Sequence, residues 1–197
     1  FQREILGAED RMMLGAAQEE YLKSTFAASV RNDKPWRVVA NQIIMADVIS
    51  PDLAPHISEE QILEIEKQWD GVRAFIEFSK LGLPLNLDAW DGYPAERERV
   101  YAAAAGKKLI SLAGDTHNAW HSDLTTATGQ RAGAEFACSS VSSPGFEALL
   151  AGNAAAIQGF EQSNQLLIDD LQYLDASRRG YILATFTSSN ATAEYRY

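Results

Sequence analysis

The chain has 197 residues, 46% of them hydrophobic, and a formal net charge of -10. That length suits one domain with a real core and is short for two, and the acidic balance without a Lys/Arg cluster excludes the basic face of a nucleic-acid binder. A single cysteine, Cys138, excludes an intrachain disulfide framework, and no apolar run approaches the roughly 20 residues of a membrane span.

The chain opens on Phe1 without a charged-then-apolar leader, which reads as a processed or partial chain. The first predicted element is a helix over residues 9–30. Leu14, Ala17, Tyr21, Leu22, Thr25 and Phe26 recur at helical spacing and give it an apolar face, and Asn32 and Pro35 end it. Residues 36–45 are nearly continuously apolar and rich in β-branched side chains, as in a buried strand. Ser58 and Gln61 have the spacing of a capping box for a helix over 59–80, and Gly82 and Pro84 break the pattern. A polar, aromatic loop over 86–93 precedes Pro94, which suits the first turn of a helix to residue 105. Residues 107–113 and 133–138 read as strands, 146–173 as weakly helical, and 181–187 with 191–197 as a closing hairpin. The order is helix, strand, helix, helix, strand, strand, helix, strand, strand, an α/β arrangement with a mixed sheet.

Chemistry concentrates at Gly114-Asp115-Thr116-His117, directly after the apolar strand 107–113. Sites in α/β sheets collect beyond the carboxyl ends of strands. Asp115 offers a hard oxygen and His117 an imidazole nitrogen, a pair suited to a metal that polarises a phosphoryl group or activates water. The same residues also suit a polar turn in which Asp115 caps the backbone and His117 lies on the surface, and Gly114 is expected to make the sharp bend. Asn41 interrupts an apolar run, either as a neutral ligand facing Asp115 or as an amide satisfied by backbone. Asp91 and Arg97 read as a carboxylate supporting the site and a bidentate phosphate clamp. The residues alone favour a plain helix start there, with Arg97 paired to a surface Glu. His121 and Asp123 are outer partners of the central motif or exposed loop polarity. His56 reads as solvated and Cys138 as a small buried hydrophobe. GxSxG, P-loop, GxGxxG and CxxC patterns are absent from the 197 residues.

Six blocks together resemble the C-terminal half of PhoD-like alkaline phosphatases, within the calcineurin-like metallophosphoesterase superfamily. They are Arg11-Met12-Met13-Leu14-Gly15 with Gln18 and Tyr21-Leu22; Trp36-Arg37-Val38-Val39-Ala40-Asn41-Gln42; Trp90-Asp91-Gly92-Tyr93-Pro94-Ala95-Glu96-Arg97; and Gly114-Asp115-Thr116-His117. Glu135-Phe136 with Ser140-Val141-Ser142-Ser143-Pro144-Gly145-Phe146, and Arg179-Gly180-Tyr181, complete the set. The resemblance implies part of a two-sheet sandwich flanked by helices. It also implies phosphomonoesterase or phosphodiesterase activity on a small phosphate ester or a phospholipid. It implies an iron and calcium centre, with zinc or manganese as alternatives, site residues at Asp115, His117 and Asn41, and a periplasmic or secreted parent protein.

The family's upstream Cys, Gly-Asp-x-x-Tyr and Asp-Asp-His-Glu segments are not among these residues. The expectation is therefore half a ligand shell, weak metal affinity and an inactive isolated chain. Self-association or pairing with a missing N-terminal half would cover its open sheet face. The alternative is a short protein without catalysis that serves as a binding or assembly module.

Overall fold

The computed structural model describes residues 2–49, 52–67, 70–84, 86–106, 108–150 and 152–197. After a π-helical turn at Gln2–Leu6, helix α1 spans Gly15–Arg31 rather than 9–30. Its start is fixed from a distance, because the Met13 and Leu14 amides donate to the Glu96 carboxylate. The apolar stripe has the expected period but a different phase. Phe26 and Glu19 are buried, whereas Tyr21 is 74% exposed. Arg99 sets that phase, holding Glu19 at 2.9 Å and drawing it under the helix.

Strand β1 is only Arg37–Ala40. Residues 41–45 were expected to extend it, and their apolar character reflects burial instead. Ile43, Ile44, Met45 and Ala46 are at most 7% exposed. Their backbone leaves the ladder, and the Met45 and Ala46 amides donate to the Glu135 carboxylate at 2.8 and 2.9 Å. A buried amide must find some acceptor, and here a side chain replaces a neighbouring strand.

The expected helix over 59–80 is two helices, α2 (Glu59–Glu66) and α3 (Val72–Ser79), with Gly71 as the N-cap of the second. The Ser58/Gln61 capping box is present on both of its hydrogen bonds. A 3-10 turn at Trp90–Gly92 leads into α4 (Pro94–Ala103), with Pro94 in its first turn. Strand β2 (Leu109–Ala113) is followed by β3 (Ala119–Thr125), which sequence reading left as loop, and by β4 (Arg131–Ala137). The expected helical stretch 146–173 resolves into α5 (Phe146–Leu149), α6 (Ala154–Leu167) and a further strand, β5 (Leu171–Asp175). The closing hairpin is as expected, β6 (Tyr181–Phe186) with β7 (Ala191–Arg196).

The main sheet has the order β1-β2-β4-β3-β5, and β6-β7 form a second, two-stranded sheet. β1, β2 and β4 run parallel, while β3 is antiparallel to both β4 and β5. The α/β class with a mixed sheet is therefore as expected. One sheet face carries Leu109, Ala113, Trp120, Leu124 and Leu174, and packs on Phe26, Val100, Tyr101, Ile168 and the 43–46 segment. The hairpin docks at the other face: the Tyr195 hydroxyl donates to the Trp120 carbonyl at 2.5 Å, and the Trp36 indole donates to the Thr187 carbonyl at 2.6 Å.

Candidate functional site

The three parallel strands end side by side. The Asn41 amide donates to Leu112 O at 2.9 Å, Gly114 N to Gln42 O at 3.2 Å, and Cys138 N to Ala113 O at 3.0 Å. Asn41, the 114–117 turn and Cys138 thus line one carboxyl edge, where α/β sheets collect ligands. Cys138 stands just past its strand and is only partly buried, which corrects its reading as a core hydrophobe.

The bend is not made by Gly114. Asp115 (φ 61°) and His117 (φ 59°) adopt the left-handed conformation. Each such non-glycine residue costs on the order of 1 kcal/mol and persists only where its surroundings enforce it. Neighbouring side chains enforce it. Asn118 is 1% exposed; its Nδ2 donates to Thr116 O at 2.5 Å, and its Oδ1 accepts from Phe146 N at 3.0 Å. The Trp120 indole donates to Thr116 Oγ1 at 3.0 Å. Arg179 donates to His117 O at 2.6 Å and Ser143 O at 3.0 Å, and pairs with Glu147 at 2.7 Å. A Cβ at Gly145 would lie 2.3 Å from Asn118 Oδ1, so only glycine lets this loop close on the turn.

His117 Nδ1 lies 3.0 Å from Pro144 O. A carbonyl can only accept, so in the neutral ring Nδ1 carries the proton and Nε2 keeps the lone pair. Backbone anchoring of one ring nitrogen, with the other left free, is the usual preparation of a metal-binding histidine. Asp115 is exposed at the same turn. These two side chains fit a metal by donor chemistry, but among the described residues no three His, Cys, Asp or Glu converge tightly enough to hold an ion. Asn41 directs Nδ2 to the Ile43 carbonyl, which leaves its Oδ1 as a neutral oxygen donor.

Asp91 and Arg97 sit beneath this edge rather than on the surface. Arg97 is 7% exposed and pairs with Asp91 at 2.5 Å, and it also donates to Met45 O at 3.3 Å. Asp91 in turn accepts from Val48 N at 3.2 Å. The expected surface pairing of Arg97 with a Glu is thus replaced by a buried pair that braces residues 45–48. The Arg97 fork is already occupied, by Asp91 and Met45 O on Nη1 and by the half-exposed Asp47 on Nη2 at 3.3 Å. Burial pushes the Asp91 carboxyl up to about 6, against the pull of the Arg97 guanidinium. His121 does not join the turn. Successive strand residues alternate faces, and where Trp120 reaches Thr116, His121 stacks on Phe136 at 4.8 Å on the opposite face. Burial lowers its pKa.

Three positioning residues carry no expected role: Asn118, and Glu135 and Arg179, which lie in the blocks that carry the family resemblance. Glu135 is wholly buried and accepts from Ser111 Oγ at 2.7 Å as well as from Met45 and Ala46. Its signal was available, since a carboxylate inside the small, apolar run Ala132-Gly133-Ala134-Glu135-Phe136-Ala137 needs buried partners. The roles of Asn118 and Arg179 depend on distant partners, Phe146 N for the first and His117 O, Ser143 O and Glu147 for the second.

Beside the turn opens a cavity of about 610 Å³ with Asp115 and Thr116 in its wall. The Asp/His turn, the cavity and the buried brace thus stand together at the carboxyl edge of the parallel strands, where α/β folds place ligand sites. A sequence model of the PhoD-like phosphatase family matches residues 1–195, and the chain belongs to that family. Alkaline phosphatase D of Bacillus subtilis (strain 168) is 28% identical over 197 aligned residues, covering 95% of this chain and 27% of that protein. A solved structure described as "Structure of PhoD" superposes with a TM-score of 0.58 at 20% identity, covering 97% of this chain and 34% of that one, and it supports the fold. The chain therefore spans only 27% and 34% of the two relatives' lengths. That fraction is compatible with a match to a C-terminal part.

Proposed function

We propose that these residues form the C-terminal portion of the catalytic domain of a metal-dependent phosphoester hydrolase. Asp115 and His117 are its metal ligands and Asn41 a neutral donor beside them, with the remaining ligands supplied from outside this chain. The observation that carries this reading is the His117 ring, anchored through Nδ1 to Pro144 O beside an exposed Asp115 at the edge of three parallel strands. A bound ion, iron and calcium by family resemblance or zinc or manganese in their place, would polarise a phosphoryl oxygen or activate water. The chain's own part is to hold the two ligands in a turn that Arg179, Asn118 and Trp120 keep from relaxing. Asp91 and Arg97 act as a positioning pair under the 43–48 segment. His121 takes no direct part.

The substrate class is a phosphate monoester or diester, either a small molecule or a phospholipid. The parent protein is proposed to act in the periplasm or outside the cell; no helix among the described residues is long and apolar enough to cross a membrane. The supporting experiment is elemental analysis of the longest natural polypeptide that carries these residues. Metal retained after dialysis by the wild type, and lost in Asp115→Asn and His117→Ala, supports the assignment. Full retention in both variants removes it.

A second reading, an assembly module without catalysis, draws on the exposed hairpin face, where Tyr181 is 61% and Leu183 46% exposed. Saturable binding of a second copy or of an N-terminal segment, lost in Leu183→Lys, would support it.

A further inference from the structure

The cavity beside the 114–117 turn is lined mainly by apolar side chains. Ile44 and Val48 come from the segment after β1, Phe75 from α3, Phe146 from α5, and Phe160 and Leu167 from α6. Its aromatic side is ordered by packing, with Phe146 and Phe160 ring centroids 4.9 Å apart and Trp120 set edge-on to Phe146 at 6.4 Å. The volume of about 610 Å³ lies within the range of small-molecule sites, which are apolar clefts with a few polar groups that fix orientation. Here Asp115 and Thr116 supply polar groups on the side of the turn, with Asn86, Asp91, Ser163 and Asn164 elsewhere in the lining. The Trp120 indole that orders this wall also donates to Thr116 Oγ1, so cavity and turn are one rigid unit.

We infer that this cavity is a binding site for the organic group of the ester, an aryl or short alkyl alcohol moiety, with its phosphate end at the Asp115 turn. The inference rests on the proposed hydrolase reading for the phosphate end. The apolar end rests on the cavity walls alone. Polar alcohols such as glycerol gain little from the apolar side chains, whereas burying an aromatic ring against them removes apolar surface from water on both sides.

The test begins with the 197-residue chain and isothermal titration of 2-naphthol, 2-naphthyl phosphate and glycerol phosphate. The cavity is filled by Ser163→Phe on α6, where Ser163 lines the wall without belonging to the turn. The expected result is saturable one-to-one binding of both naphthyl compounds, no competition by glycerol phosphate, and at least tenfold weaker naphthyl binding in Ser163→Phe. A wild-type melting temperature of the variant separates this loss from unfolding, and Leu167→Ser serves as a second variant if Ser163→Phe does not fold. Absence of saturable naphthyl binding, or binding unchanged in a folded Ser163→Phe, overturns the inference.

Kinetics of the longest natural polypeptide then separate the two readings. If naphthyl binding depends on Ser163 but no ester is hydrolysed, the apolar site stands and the hydrolase reading fails. If naphthyl and glycerol esters are hydrolysed with equal kcat/KM, and Ser163→Phe changes neither, the hydrolase reading stands and the apolar site fails.

Discussion

Replacing Glu135 tests how the site edge is built. Its carboxylate is wholly buried and accepts from Met45 N at 2.8 Å, Ala46 N at 2.9 Å and Ser111 Oγ at 2.7 Å. In Glu135→Leu the Ser111 hydroxyl can rotate to another acceptor, but the two amides cannot. Each stranded buried donor costs about 1–3 kcal/mol, so the two cost about 2–6 kcal/mol. Removing the desolvated carboxyl returns roughly 2 kcal/mol, so the net loss is about 0–4 kcal/mol, centred near 2 kcal/mol. Glu135→Gln should lose no more than about 1 kcal/mol. Its oxygen can accept from both amides while its NH2 donates to Ser111 Oγ, which also has lone pairs. Urea unfolding followed by tryptophan fluorescence measures both variants. The reasoning is refuted if the Leu variant is more stable than wild type, or if Gln is as damaging as Leu. Burial also raises the Glu135 pKa. The folded state thus holds this proton more tightly than the unfolded chain, and the group's contribution falls as pH rises above the ordinary glutamate range. Glu135→Gln should remove that slope.

Arg97→Met leaves Asp91 buried without its cation and should destabilise the chain by about 3–5 kcal/mol, measured by the same unfolding assay; a change under about 1 kcal/mol contradicts the buried-pair assignment. Arg99 and then Lys23 hold the Glu19 carboxyl down to about 2 from 4.5. The stabilisation is present above pH 4.5 and lost as pH falls toward 2. It should amount to about 1 kcal/mol once solvent screening is allowed for, and a pH series of melting curves should show it shrinking in Arg99→Met. Arg179→Met should free the His117 carbonyl and let the turn leave its left-handed conformation. NMR of the His117 ring should then show loss of the Nδ1 proton's hydrogen bond, and an unchanged ring signal contradicts the clamp.

Much of the fold was readable because local pattern and tertiary use agree. The hairpin over 181–197, the capping box at Ser58 and the first turn at Pro94 are specified by neighbours in sequence. The errors share one cause. Residues 41–45 look like strand because they are buried, but the acceptor for their amides is a side chain 89–90 positions away in sequence. β3 hides because its alternating partners, His121, Asp123 and Thr125, are polar; its signal was the period-2 burial of Trp120, Ser122 and Leu124. The turn that carries Asp115 and His117 was legible as a motif. The reason it bends was not, since the glycine next to it is ordinary and the strain at Asp115 and His117 is held by Asn118 and Arg179. Arg97 was misread because its exposure depends on the 45–48 segment closing over it.

The most direct measurement is hydrolysis of a chromogenic phosphate ester by the longest natural polypeptide that carries these residues, with and without a chelator, in the wild type and in Asp115→Asn and His117→Ala. Chelator-sensitive turnover is expected, with kcat/KM falling in each variant by on the order of 100-fold or more, the upper end of what even a metal ligand's supporting partner costs. Turnover indifferent to the chelator, or unchanged in both variants, contradicts the assignment of the Asp115–His117 turn to a metal-dependent phosphoesterase site.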